Sequence, residues 1–324
     1  MKEKVIKTKL IGREDLFKTF MVGELSKLPV LVIGEKGTAK TQAFLDYVNG
    51  NNANGKVFIR QLNYDTRAED LLGYISIPAL KEGRVERLNG IQDAEYILLD
   101  EVDKAPSSVR NLFLSVLRER AIFDGEKLVP CQWKLIVGTS NREIDDFEQE
   151  DIPFLDRFII KHRIERLGMP NIHNLLCSNE EREIVIKVNP YKKEDFEDAL
   201  YVIEILLYNG LYQIMSDRSV ANIPVLLDGF LKLEEKKENA LMKTMVSLVG
   251  EKHLIPFMDQ INIIEEISYA RLLLKQMENA KDSATRKVVK QKILEYYEDL
   301  KRNPDIDRKT LLEIKNLLDR HLQN

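Results

Sequence analysis

Cysteine is almost missing from this sequence: Cys131 and Cys177 are the only two in 324 residues. Two isolated thiols exclude a disulfide framework and read as free cysteines in an intracellular, cytoplasmic protein. Histidine is nearly as sparse, and His162, His173, His253 and His321 show no metal-ligand spacing. No apolar run approaches the roughly 20 residues that cross a bilayer, so membrane insertion is not expected. The start, MKEKVIKTKL, lacks the apolar segment of a signal peptide. An excess of one charge is missing too: 49 Lys and Arg face 53 Asp and Glu, a formal net charge of -4. Binding nucleic acid by bulk charge usually takes a basic chain, so it is not the default here. Neither an internal repeat nor a low-complexity tract is present.

What is there is an alternation. Short apolar runs at Leu31–Ile33, Val57–Ile59, Tyr96–Leu99, Leu135–Val137 and Ile159–Ile160 read as strands. Helical periodicity fills the gaps, with Val109, Leu112, Val116 and Leu117 on one face. This pattern predicts an α/β fold, a parallel sheet covered on both sides. Residues 169–189 are irregular and polar and read as a linker or insertion. From Lys192 onward Leu, Ile, Lys and Glu dominate at helical spacing, as in 196–211 and 265–277. The expected division is an α/β core over 1–189, an all-α lid over 190–282 and a helical extension over 283–324. Asn303-Pro304-Asp305 separates two last helices, about 283–301 and 308–322.

The stretch GEKGTAKT, Gly34 to Thr41, follows the first strand and nearly fits the phosphate-loop pattern G-x-x-x-x-G-K-[ST]. Such a loop curls backbone N–H groups around phosphate, with a helix N-terminus behind them. Gly34 and Gly37 supply turns, Thr38 and Ala39 complete the loop, Lys40 bridges the β- and γ-phosphates, and Thr41 offers a hydroxyl to Mg²⁺. Ala39 replaces the second glycine, and alanine fits there if its φ is negative. Tyr96-Ile-Leu-Leu-Asp100-Glu101 is a buried strand ending in two acids, the Walker B pattern. Asp100 is expected to hold Mg²⁺, and Glu101 to polarise the attacking water. Asn141 ends the strand after Trp133 and can orient water or merely close a turn. Arg157, in Leu155-Asp-Arg-Phe158, can pair with Asp156, cap a helix, or reach a neighbour's γ-phosphate in a ring. Arg218 follows Ser216, a plausible N-cap, and is either an exposed first-turn arginine or a group reaching the nucleotide.

In this order GEKGTAKT, LLDEVDKA, VGTSN, LDRF and SDRS resemble the MoxR family of AAA+ ATPases, with the RavA branch nearest. Glu69–Gly73, Ile75–Lys81 and Gly83–Leu88 resemble that branch's insertion in helix 2. The resemblance runs from about Leu10 to Leu233. It implies ATP and Mg²⁺ as ligands, Asn141 as sensor 1, Arg157 as arginine finger and Arg218 as sensor 2. Ile11-Gly12-Arg13 resembles the segment bordering the adenine, and alanine before the loop lysine is usual in the family. Pro224 departs from the pattern and should kink or shorten the helix after Arg218. After about Ala240 nothing aligns, and no RavA-like partner-binding extension is recognisable.

Two hairpins are expected, one over 74–90 turning at Lys81-Glu-Gly83 and one over 121–129 turning at Asp124-Gly125. Through the resemblance the first lies near the pore of a homo-oligomeric ring, expected to be a hexamer. The leading reading is an ATP hydrolase that remodels or activates a partner protein in the manner of a chaperone. MoxR relatives often act with von Willebrand A domain proteins, and this chain carries no Asp-x-Ser-x-Ser metal motif of its own. An alternative is a nucleic-acid motor, for which Lys81, Arg84 and Arg87 supply a basic tip. A third is a non-hydrolysing switch or structural ring, against which Glu101 and Arg157 argue.

Overall fold

In this computed structural model, residues 2–50, 56–83, 87–124, 127–143, 146–147, 151–168, 180–188, 215–233, 237–254 and 283–302 are described, with positions 202–203, 206, 211, 273, 311 and 314–315. The expected helices at 196–211, 265–277 and 308–322 fall almost wholly outside these residues, as do Arg84, Glu86 and Gly125. The chain divides into two compact units, Met1–Val202 with Tyr212–Glu251, and Ile203–Leu211 with Lys252–Asn324.

Strand β1 (Lys2–Thr8) is followed by α1 (Glu14–Ser26), β2 (Val30–Gly34), α2 (Lys40–Asn49) and β3 (Val57–Gln61). Next come α3 (Glu69–Leu72), β4 (Tyr74–Ile75), α4 (Ile77–Lys81), β5 (Arg87–Leu88) and β6 (Tyr96–Asp100). A 3-10 turn (Val102–Lys104) leads to α5 (Ser107–Arg118), β7 (Ala121–Asp124), β8 (Lys127–Pro130) and β9 (Leu135–Ser140). Then follow α6 (Ile152–Leu155), β10 (Ile160–Ile164) and β11 (Arg182–Val188). Five helices complete the described elements: α7 (Asp217–Ala221), α8 (Ile223–Leu231), α9 (Lys237–Val249), α10 (Glu251–Leu254) and α11 (Ser283–Arg302).

The central sheet is five-stranded and parallel, in the order β10-β2-β9-β6-β3. The predicted apolar runs are its strands. β2 and β9 are buried along their whole length, which is why they read as continuous apolar runs and not as alternations. β3 is an edge strand and alternates, leaving Val57 and Ile59 exposed. After β2 the chain crosses to the far edge, and β6 and β9 fill the gap before β10 adds on the other side of β2. The carboxyl ends of β2, β9 and β6 therefore meet at a topological switch point, where parallel sheets bind ligands.

Helix α5 covers the sheet with the expected stripe. Val109, Phe113, Val116 and Leu117 are buried, and Leu112 is partly so. Each such burial contributes about 1.5–3 kcal/mol. In the second unit, Val289, Ile293 and Leu300 of α11 pack with Leu273 and Ile314 in a core of their own.

Three expectations need correcting. The segment read as a linker contains β11, which pairs antiparallel with β1 from Lys2↔Val188 to Thr8↔Arg182. Both strands alternate, but they lie at a charged terminus and inside a polar tract, so neither read as a strand. The segment 74–90 is no simple hairpin: among its described residues Tyr74–Ile75 and Arg87–Leu88 pair, and α4 interrupts them. Ser76 caps that helix, accepting from Ala79 N, and Pro78 sits in its first turn, where it costs no hydrogen bond. Ala39 has φ 65° and ψ 30°, the left-handed region, where a negative φ was required of it. Two other expectations hold. β7 and β8 form the second hairpin. The helix after Arg218 stops at Asn222, and a new one starts with Pro224 in its first turn.

Candidate functional site

The phosphate-loop segment leaves β2 at Gly34. A Cβ there would come within 2.8 Å of the Ile164 carbonyl on β10, so only glycine permits that approach. Gly37 has φ 81°, and a Cβ on it would meet nothing within 4 Å, so the loop borders open space on that side. Thr38 is buried, its hydroxyl donating to Glu35 O at 2.8 Å. Arg13 ties the loop to the N-terminal segment: Nε donates to Thr38 O at 3.2 Å and Nη2 to Glu165 O at 3.2 Å. Ile11, two residues before it, is buried, and Gly12 has φ 65°.

Lys40 opens α2. Its ammonium donates to Gly34 O at 2.6 Å, Glu35 O at 3.0 Å and Asn141 Oδ1 at 2.8 Å. Burial lowers its pKa, against the opposing pull of Asp100, Asp103 and Glu101. Thr41 Oγ1 donates to Asp100 Oδ2 at 3.1 Å. Thr139, at the end of β9, donates to the other Asp100 oxygen, and its hydroxyl accepts from Glu101 N at 3.1 Å. That bond holds Glu101 at φ 57° and ψ 51°, a left-handed conformation that a glutamate rarely adopts without surrounding support.

The Glu101 carboxylate is bound on both oxygens. Oε1 accepts from Asn141 Nδ2 at 3.1 Å, while Oε2 accepts from Gln61 Nε2 at 2.9 Å and Lys104 Nζ at 2.7 Å. Hydrogen bonds from Lys104 and then Gln61 hold its pKa below the usual carboxylate range. A hydrogen-bonded line thus runs Lys40–Asn141–Glu101–Lys104. Lys40, Thr41, Asp100, Glu101 and Asn141 are gathered at the ends of β2, β6 and β9, as their separate motifs suggested. Thr139, Gln61 and Lys104 belong to the same cluster and were not singled out. Thr139 lies within the quoted GTSN stretch and Gln61 ends a strand, but neither has a motif of its own. Asp103 Oδ1 is buried here without a hydrogen-bond partner.

Arg157 and Arg218 meet at Asp156. Asp156 Oδ2 lies 3.7 Å from Arg157 Nη1 and 3.5 Å from Arg218 Nη1. Arg157 also donates to Pro153 O at 3.1 Å, and its buried Nε has no partner. Burial, then the neighbouring Arg218, lowers the Arg157 pKa. Among the described residues no hydrogen bond or ion pair joins this pair to the Lys40 cluster.

The donor set suits a hard cation. One hydroxyl and one carboxylate leave most positions to phosphate and water, as Mg²⁺ favours. Among the described residues no group of three or more His, Cys, Asp or Glu could form an all-protein cage.

The profile of the family described as the MoxR domain in MoxR-vWA-beta-propeller ternary systems matches residues 2–197, more than half of the chain. The chain belongs to the MoxR family of AAA+ ATPases. This MoxR protein is 33% identical over 223 residues to an uncharacterised protein of Methanocaldococcus jannaschii, covering 64% of this chain and 57% of that one. It is 28% identical over 222 residues to chaperone MoxR1 of Mycobacterium tuberculosis, covering 65% and 55%. The MoxR chain spans about half the length of the curated relatives it matches. A crystal structure of a candidate ATPase from Cytophaga hutchinsonii superposes with a TM-score of 0.57 at 16% identity, over 79% of this chain and 89% of that one, and so supports the fold. Among the described residues no helix is long and apolar enough to cross a membrane.

Proposed function

We propose that this MoxR protein hydrolyses ATP with Mg²⁺ and couples hydrolysis to remodelling a partner protein. The observation that carries the reading is the joining of Lys40, Asn141 and Glu101 into one hydrogen-bonded line beside the Thr41–Asp100 pair. Lys40 exchanges its loop carbonyls for the β- and γ-phosphate oxygens. Thr41 and Asp100 hold Mg²⁺, which supplies charge neutralisation across those phosphates when bound. Asn141, released by Lys40, orients the attacking water, and Glu101 accepts its proton. Ile11 and Gly12 border the adenine. Arg157 serves a neighbouring subunit's site in a hexameric ring, and Arg218 completes a nucleotide site from the lid. We keep the division into core (1–189), lid (190–282) and extension (283–324), and the RavA-like character of the helix-2 insertion, as parts of this proposal.

A von Willebrand A domain protein is the partner we favour, because the matching family is described from systems that contain one. The insertion also favours a protein client over DNA: exposed Tyr74, Ile77 and Leu80 stand there beside Lys81 and Glu82, where tracking phosphate would call for a basic, polar surface.

Lys40→Ala should weaken ATP binding by roughly 10- to 100-fold, the weight of one or two charge-assisted hydrogen bonds. Glu101→Gln should bind ATP normally and hydrolyse it slower by a factor on the order of 10² or more. Calorimetry and a phosphate-release assay read the two. Unchanged ATP affinity in the first variant, or wild-type turnover in the second, refutes the assignment.

A further inference from the structure

We infer that Lys104 restrains the water-activating glutamate: it is a catch on Glu101, and ATP turnover runs faster when the catch is removed. The inference rests on the reading of Glu101 given above. It goes further by giving a role to a residue outside the phosphate-loop and Walker B motifs.

The geometry begins with the backbone. Glu101 is fixed in the left-handed region with its N–H on Thr139, so its carboxylate can move only through side-chain torsions. The next three residues form a 3-10 turn, closed by Lys104 N donating to Glu101 O at 3.0 Å. That bond brings residue 104 back toward residue 101. Lys104 thereby reaches Glu101, and its ammonium lies 2.7 Å from Oε2.

The two oxygens of Glu101 differ in what nucleotide can release. Oε1 is held by Asn141, whose own oxygen accepts from Lys40. Phosphate competes directly for Lys40 and so loosens that side. Oε2 is held by Gln61, at the end of the edge strand β3, and by Lys104, on the turn after β6. Neither donor belongs to the phosphate loop, so both stay in place when phosphate arrives. A carboxylate offers about four lone-pair sites. With three already occupied, two of them on one oxygen, the water and the torsional freedom to meet it are both restricted. The Lys104 side chain is 29% exposed and Glu101 only 13%, so the lysine is the member of the pair that solvent can draw away.

The test uses the full chain and ATP. Lys104→Met removes the charge and keeps the length, and Lys104→Arg keeps the pair. Lys104→Met should raise kcat about three- to five-fold with KM for ATP unchanged, the modest size that a partly exposed ion pair can account for. Lys104→Arg should turn over like the wild type, and Lys104→Met placed on Glu101→Gln should restore nothing. A kcat that stays level or falls in Lys104→Met, or that rises equally in Lys104→Arg, overturns the inference. If Glu101→Gln is inactive while Lys104→Met is unchanged, only the catch is wrong. If Glu101→Gln turns over normally, the catch falls together with the reading of Glu101.

Discussion

Ala39 stands in the left-handed region at the N-terminus of α2, where phosphate loops usually carry glycine. Its Cβ should cost about 1–2 kcal/mol there relative to a right-handed residue. Replacing it by glycine removes that strain but adds about 0.4–1 kcal/mol of unfolded-chain entropy. Ala39→Gly should therefore raise stability by up to about 1.6 kcal/mol, measured by urea unfolding without nucleotide. A clear loss of stability would mean that the loop is not strained at this residue. Glu101, at φ 57°, is strained in the same way. Its backbone N–H and its carboxylate are bound by polar partners that hold the conformation, whereas the Ala39 methyl group can make no such bond.

Edge strand β10 is pinned to α1 by a half-buried histidine. Thr19 Oγ1 lies 2.9 Å from His162 Nδ1 and 2.9 Å from Asp15 O. The carbonyl can only accept, so the hydroxyl gives its one proton there and Nδ1–H of a neutral imidazole donates to Thr19. Burial pushes the His162 pKa down to about 4, with Asp15 opposing and Lys243 and Arg13 assisting. The unfolded histidine titrates near 6.5. With the folded value depressed, the unfolded chain takes up the proton first as pH falls. Stability is therefore complete above about pH 6.5 and is lost between there and about pH 4, on the order of 3 kcal/mol in all. Denaturant unfolding at a series of pH values should show that slope in the wild type. In His162→Gln it should be much flatter, and an equal slope in both would remove His162 from the acid response.

For the whole molecule, no hydrogen bond or ion pair among the described residues joins Arg157 to the Lys40 cluster within one chain, as the proposal that subunits complete one another expects. Turnover per subunit should then rise with protein concentration until assembly saturates. Arg157→Ala and Glu101→Gln subunits should each be nearly inactive. Mixed, they should recover a measurable part of the activity, because some interfaces combine an intact Glu101 with an intact Arg157. Sedimentation alongside the assay checks both points, and full activity in a strict monomer would rule the ring out.

The parallel sheet and the gathering of polar side chains at its carboxyl end were legible because they are written locally. A fully buried strand is a continuous apolar run, and β2, β6 and β9 each carry one that ends in GEKGTAKT, Asp100-Glu101 or Thr139-Ser-Asn141. Spacing alone fixed the helix face of α5, the Ser216 cap and the break at Pro224. The β1–β11 pair was hidden because a strand in a two-stranded sheet is defined by a partner far along the chain. The φ of Ala39 was hidden because nothing in a side chain's identity states the conformation that the following helix imposes on it. Lys104, Gln61 and Asn141 are ordinary polar residues in the sequence. They converge on one carboxylate only because the sheet sets β3, β6 and β9 side by side and a 3-10 turn folds residue 104 back over residue 101. Motif chemistry is local and the sequence carries it, whereas the hydrogen bonds that restrain Glu101 depend on strand order, which only the packed structure decides.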